Sequence, residues 1–198
     1  MPTITGTIPR IALILALLAP VQQLDDQVQQ AVQEGHTPAL DSAMHYSSSS
    51  RGNLVVAYGL LLIAIATPAG PATARAALGV LIPVNLVVEV TKRAVNRTRP
   101  DGSGDRHNAS FPSSHAANAA ALALVLSLRW PRLAPVFVLY AAFVSFSRMY
   151  LNRHFLSDVL CGVVIGVGVG WLAFLALRSR GWTWVAPERP GPGASEPA

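Results

Sequence analysis

The chain has 198 residues, 52% of them hydrophobic and only 13% charged, with a formal charge of +5; an ordinary soluble domain is about a quarter charged, so this balance points to lipid as the solvent. The basicity does not imply a nucleic-acid partner, because the 15 basic residues, all arginine except Lys92, are spread through short connections between apolar runs. Cys161 is the single cysteine, which excludes an intrachain disulfide and a cysteine-based metal site.

Apolar runs near residues 8–21, 53–67, 72–91, 115–130, 132–150 and 156–177 are separated by proline, glycine or charge. They predict an all-α fold, a bundle of six transmembrane helices forming a single domain over residues 1–186. The first run is short and preceded by Arg10, which also fits a secretory signal peptide; Pro20 after Ala19 spoils a small-x-small cleavage site, so a retained span is the preferred reading. Residues 22–50 are polar, carry Asp25, Asp26, Glu34 and Asp41, end in four serines, and read as a short interfacial helix plus a loop, with His36 and His45 on the surface. In the last run Gly162, Gly166 and Gly170 recur every four residues, a face on which a neighbouring helix approaches closely. Trp130, Trp182 and Trp184 fall at helix ends, where amphipathic rings favour the interface, and Trp171 in mid-run reads as a packing residue. The tail, residues 187–198, is rich in Pro, Gly and Glu and is expected to be disordered.

Polar residues cluster in two connections, 89–115 and 147–158. Two spans separate them, so both lie on one side of the membrane and can converge on one pocket. The first carries Lys92, Arg93, Arg97, Arg99, Asp101, Asp105, Arg106, His107 and His115; the second carries Arg148, Arg153, His154 and Asp158. A solvated, headgroup-anchoring loop would be the plain reading of such charges. Lysine and arginines facing two histidines and a carboxylate instead suit an oxyanion, since guanidinium donates bidentately and ammonium supplies a point charge. Pro112-Ser113-Ser114-His115 opens the fourth span, where free amides and the helix dipole favour an anion and where Ser113 can also serve as a plain N-cap. His154 and Asp158, four apart, share a face if helical, as a surface ion pair or as an oriented imidazole. Glu89, an acid inside a span, is expected to pair with Arg93 or Lys92. The triplets at Asn96 and Asn108 fit the glycosylation pattern by coincidence.

Together, Lys92-x6-Arg99-Pro100, Pro112-Ser113-Ser114-His115 and Ser147-Arg148-x5-His154-x3-Asp158 resemble the three-part signature of the type-2 phosphatidic acid phosphatase and haloperoxidase family. One position departs: Ser114 stands where the family usually has glycine. A serine fails there only if φ is positive, which the first turn of a helix does not require.

The resemblance implies a metal-independent phosphatase acting on a membrane lipid phosphate or diphosphate. His154 would be the nucleophile forming a phosphohistidine, Asp158 its orienting partner, and His115 the general acid and base. Lys92, Arg99, Ser113, Ser114 and Arg148 would cradle the phosphate oxygens. No cofactor is implied, and Asp101 and Asp105 sit among glycines and basic residues, not in a carboxylate cluster. The partners implied are the bilayer and a lipid with a phosphate or diphosphate headgroup. A vanadium haloperoxidase, a phospholipid-binding or transport protein and a lipid-to-lipid phosphotransferase are the rival readings. His107 could touch a headgroup, and the short loop between Pro100 and Pro112 favours a small one. Seven basic residues fall on the terminal side and eight on the pocket side; setting aside Lys92, Arg99 and Arg148 leaves five there. That count favours termini in the cytoplasm and a periplasmic pocket in a bacterial-type inner membrane.

Overall fold

The computed structural model describes residues 7–48, 70–103 and 109–183, with residues 59, 62, 66 and 67. Most of the second predicted span, Asp105, Arg106, His107, Asn108, Trp184 and the 187–198 tail lie outside the described residues. Every described element is helical: α1 Thr7–Glu34, α2 Pro38–Ser48, α3 Gly70–Val95, α4 Ser114–Arg129, a 3₁₀ turn Pro131–Leu133, α5 Ala134–Tyr150 and α6 Leu156–Ser179.

Among the described residues three segments are long and apolar enough to cross a membrane: Gly70–Val95, Pro131–Tyr150 and Leu156–Ser179. The surface has the inverse of a soluble pattern. Leu78, Ile82, Leu86 and Val90 recur every four residues along α3 and are all exposed, as are Val136, Leu139 and Tyr140 on α5 and Leu160, Val164 and Leu172 on α6. So much exposed apolar surface requires hydrocarbon around it. Trp171, read as a packing residue, stacks on Phe174 and is 42% exposed on this surface. Trp130 caps the end of α4 under Arg129, and Trp182 is exposed just past α6, both at helix ends as expected.

The shorter helix α4 sits at the centre, packed by α3, α5 and α6. It can do so because its inner positions are nearly all alanine: Ala116, Ala117, Ala119, Ala120, Ala121 and Ala123 are buried. Ala76, Ala77, Val80, Val84 and Val88 of α3 close on Ala117, Ala121 and Val125 of α4 and Phe174 and Leu177 of α6. Gly162, Gly166 and Gly170 are buried against α4 or α3, as their spacing predicts. A methyl at Gly162 would strike the Ser113 carbonyl, and one at Gly166 the Ala117 carbonyl. Backbone contact this close brings the start of α6 against the start of α4.

The N-terminal region differs from expectation. Polar residues 22–34 do not form a separate interfacial helix; they continue α1 without a break to Glu34. Twenty-eight residues span about 42 Å, more than the ~30 Å of hydrocarbon, so the last turns of α1 stand beyond the apolar slab. Gln22, Asp25, Gln29 and Gln33 are three or four apart and form one stripe that faces the α5–α6 connection. Gln29 and Gln33 donate to the Met149 carbonyl at 3.1 and 3.2 Å, and Gln33 also to the Tyr150 carbonyl at 3.1 Å, satisfying the orphan acceptors at the end of α5. His36 lies on the surface as expected, stacked on Tyr150 with ring centroids 3.9 Å apart and 2.9 Å from Asp41; His45 is also exposed.

Candidate active site

Both polar connections begin where an asparagine stops a helix. Asn96 after α3 and Asn152 after α5 have φ of 48° and 56°, left-handed values that asparagine tolerates better than most residues. The second turn folds the chain back on itself. The Arg148 carbonyl accepts from the Arg153 and His154 amides at 3.0 and 3.2 Å, which sets the arginine and the histidine of the Arg148-x5-His154 block side by side.

The two connections meet on one face, as the span count predicts: the Ser113 amide donates to the Asp158 carbonyl at 3.0 Å, joining the start of α4 to the start of α6. Ser113 is fully buried, extended (φ −73°, ψ 111°), and its hydroxyl accepts from the Ala116 amide at 3.4 Å, so it is the N-cap of α4. Ser114 is the first helical residue, and its φ is not among the positive ones, so serine is compatible with the position. His115 follows, half-buried, in the neighbourhood of the positive Arg148, Arg99 and Lys92 and of His154.

Lys92, at the end of α3, is buried and donates from Nζ to the Ala109 carbonyl at 2.5 Å. Arg148 is 4% exposed; its Nε reaches the Ser147 hydroxyl at 3.4 Å, and its Nη2 is buried without a hydrogen-bond partner among the described residues. A buried, unsatisfied guanidinium nitrogen is costly and marks a place prepared for an acceptor. Glu89 pairs with Arg93 at 2.9 Å, one of its two expected partners. Asp101 pairs with Arg153 at 3.0 Å.

His154 is 3% exposed, and burial holds its pKa below the ordinary histidine value despite the Asp158 carboxylate beside it, so the ring is neutral at neutral pH. The contact between these two differs from the expected one. Helix α6 starts only at Leu156, so His154 precedes it and the four-residue spacing is not helical. Nδ1 of His154 lies 3.8 Å from Asp158 Oδ2 and 2.7 Å from the Ser110 carbonyl, which is its hydrogen-bond partner. Asp158, fully buried, is held by other donors: the Ser110 hydroxyl at 2.5 Å and the Phe155 amide at 2.9 Å on Oδ2, and Arg97 Nη1 at 2.8 Å on Oδ1. Its carboxylate thus caps α6 while facing the imidazole.

Ser110, Arg97 and Asp25 are the residues that sequence reasoning did not single out. Ser110 lies in the second glycosylation-like triplet, and Arg97 stands two residues before the arginine of the first block. Asp25 is separated from its partner Ser157 by 132 positions, and no local spacing signals that contact.

Comparison with known proteins agrees with the sequence resemblance. The model of the PAP2 superfamily matches residues 73–182. A lipid A 1-phosphatase of Porphyromonas gingivalis is 36% identical over 100 residues, 46% of this chain and 22% of that protein. The undecaprenyl-diphosphatase BcrC of Bacillus subtilis is 28% identical over 149 residues, 70% of this chain and 76% of that protein. This chain therefore spans well under two thirds of the first of these relatives. The crystal structure of a transmembrane PAP2-type phosphatidylglycerolphosphate phosphatase from Bacillus subtilis superposes with a TM-score of 0.60 at 25% identity, covering 85% of this chain and 92% of that one.

Proposed function

The chain belongs to the PAP2 superfamily, matched over more than half its length, and from that membership and the site geometry we propose that it is an integral membrane hydrolase removing phosphate from a lipid phosphate or diphosphate. The observation that carries this reading is the buried, unpartnered Nη2 of Arg148 beside two histidines, Lys92 and Arg99. An anion with several equatorial oxygens would satisfy that nitrogen and the surrounding positive charge together.

In this mechanism His154 acts through Nε2, since Nδ1 is committed to the Ser110 carbonyl. The neutral ring supplies its lone pair to phosphorus, a P–N bond forms, and the P–O bond to the lipid breaks. His115, across the pocket, gives its proton to the departing oxygen. It then takes a proton from water as that water attacks phosphorus and breaks the P–N bond, releasing inorganic phosphate. Asp158 balances the charge that the imidazole acquires. Lys92, Arg99, Arg148, the Ser113 hydroxyl and the Ser114 amide hold the oxygens on which negative charge develops. These donors stabilise the charge without a divalent cation. Among the described residues no three His, Cys, Asp or Glu side chains gather as a metal site needs.

The pocket faces outward in this reading, with the termini in the cytoplasm, supported by the arginine asymmetry already noted. Alkaline phosphatase fused after Ala198 should be inactive in the periplasm assay; activity there overturns the orientation. The activity itself is tested with a panel of phosphatidic acid, phosphatidylglycerol phosphate, undecaprenyl diphosphate and lipid A in detergent with excess EDTA. Phosphate release from at least one lipid, abolished by His154→Ala, is the expected result. Release that requires added magnesium, or that survives His154→Ala, refutes the mechanism.

A further inference from the structure

The pocket described above does not explain why α1 carries a polar stripe across the connection behind the catalytic histidine. Behind His154 three residues, Arg97, Ser110 and Asp158, form a closed ring of hydrogen bonds. The Ser110 amide donates to the Arg97 carbonyl at 2.7 Å. The Ser110 carbonyl is bonded to His154 Nδ1 at 2.7 Å, and its hydroxyl to Asp158 at 2.5 Å. Arg97 Nη1 closes the ring on the other oxygen of Asp158 at 2.8 Å and also reaches the Ser157 hydroxyl at 2.7 Å.

The second guanidinium nitrogen of Arg97 points away from the pocket, to α1. Nη2 donates to Asp25 at 2.8 Å and to the Gln22 side chain at 2.8 Å. Asp25 is 1% exposed, which for a carboxylate requires charged or hydrogen-bonded partners on both oxygens. It has them: beside Arg97 it accepts from the Ser157 amide at 2.8 Å and the Ser157 hydroxyl at 2.6 Å. The Ser157 amide is one of the first-turn donors of α6, so α1 supplies a cap to the helix that carries Asp158. Arg97 is further clamped with its guanidinium 4.1 Å above the Phe155 ring.

We propose that Arg97, held in place by Asp25 of α1, is a positioning residue of the reaction: it fixes Asp158 and, through Ser110, the ring of His154, making α1 a working part of the active site and not only an anchor. The fork of a guanidinium is what the geometry requires, because two nitrogens about 2.3 Å apart in one rigid plane address two carboxylates on opposite sides, which an ammonium cannot do. The polar groups of both side chains are spent on protein partners, so their removal should act on kcat more than on KM. Their removal should loosen the nucleophile, and misplacement by about 1 Å costs on the order of 100-fold in rate. The inference rests on His154 being the nucleophile.

The test measures kcat and KM in detergent micelles with phosphatidic acid and undecaprenyl diphosphate as probes. The proteins are the wild type, His154→Ala, Arg97→Ala, Arg97→Lys, Asp25→Asn and the Asp25→Asn/Arg97→Ala double variant, each checked for monodispersity and melting temperature. Expected are an inactive His154→Ala and kcat lowered about 100-fold in both Arg97 variants and about tenfold in Asp25→Asn, with KM within about twofold throughout. Guanidinium added to the medium should restore part of the rate to Arg97→Ala. The double variant should lose no more than Arg97→Ala alone, because Asp25 acts through the arginine. If Arg97→Ala does not yield monodisperse protein, Arg97→Lys and Asp25→Asn decide the matter by the same kcat criterion. Wild-type kcat in these variants with an inactive His154→Ala overturns the proposal and leaves the nucleophile standing, as does a rate loss that only follows the folded fraction. An active His154→Ala overturns the reading on which it rests.

Discussion

The most exacting perturbation of this arrangement is a single methyl group that alters no charged side chain. In Gly162→Ala the new Cβ would lie 2.5 Å from the Ser113 carbonyl oxygen, 3.3 Å from Ala116 Cβ and 3.4 Å from the Ala117 amide nitrogen. Comfortable contact needs roughly 3.5 Å, so the helices must part by about 1 Å. The obstacle cannot swing aside, because the Ser113 carbonyl is main chain and accepts from the Ala117 amide at 3.0 Å as the first hydrogen bond of α4. Overpacking of this kind costs about 1–3 kcal/mol. The displacement falls where it matters for chemistry, since Gly162 is one turn after Asp158 on α6 and Ser113 is two residues before His115 on α4. Separating the helix starts moves the nucleophile away from the acid and the phosphate cradle, with an expected loss of kcat on the order of 100-fold. Gly168→Ala is the control: nothing among the described residues lies within 4 Å of its Cβ, and alanine favours helix over glycine by up to about 1 kcal/mol. Melting in detergent and lipid phosphatase turnover, measured side by side, should show Gly162→Ala destabilised and slow and Gly168→Ala unchanged or stabilised. A Gly162→Ala protein with wild-type melting and rate would refute the claim that close backbone contact between α4 and α6 sets the site.

Two further outcomes follow from the pocket. Arg148→Lys keeps the charge but loses the planar fork whose Nη2 awaits an acceptor, and should lower kcat/KM roughly 100-fold in the phosphate-release assay; a change below threefold would remove Arg148 from the cradle. Burial depresses the pKa of His154, so its lone pair is lost only as pH falls through that lowered value. The acid limb of kcat/KM should accordingly lie below the ordinary histidine value of about 6.5; a limb above it, moved by His154 substitutions, would contradict the assignment.

Much of this architecture was legible in the sequence because it depends on short-range signals. Hydropathy located the helices now seen as α3 to α6, four-residue spacing placed the three glycines on one packed face, and counting spans put the two polar connections on the same side. The residues proposed for the cradle could be listed because their three blocks resemble a family signature; two of those blocks also fold on local devices, the N-cap at Ser113 and the return turn onto the Arg148 carbonyl. Where the reading departed from the structure, long-range contacts or a helix boundary were responsible. Residues 22–34 look like a separate interfacial helix by polarity, yet they continue α1 without a break, their stripe finding acceptors on α5 and donors on α6, partners more than 100 positions away. His154 and Asp158 have helical spacing, but the helix begins between them, so the imidazole turns to the carbonyl of Ser110 and the carboxylate to Arg97. Neither Ser110 nor Arg97 has a type or spacing that distinguishes it from its neighbours in a polar loop.

The central claim is that phosphorus passes through His154, and trapping the intermediate tests it most directly. His115→Ala protein is mixed with a lipid phosphate carrying a good leaving group and radiolabelled phosphorus, then quenched in base, where phosphohistidine survives, and mapped by proteolysis. The account predicts label on the peptide containing His154, lost on acid treatment and absent from the His154→Ala/His115→Ala double variant. Turnover by wild-type protein with no label at His154, or label that persists when His154 is replaced, would contradict it.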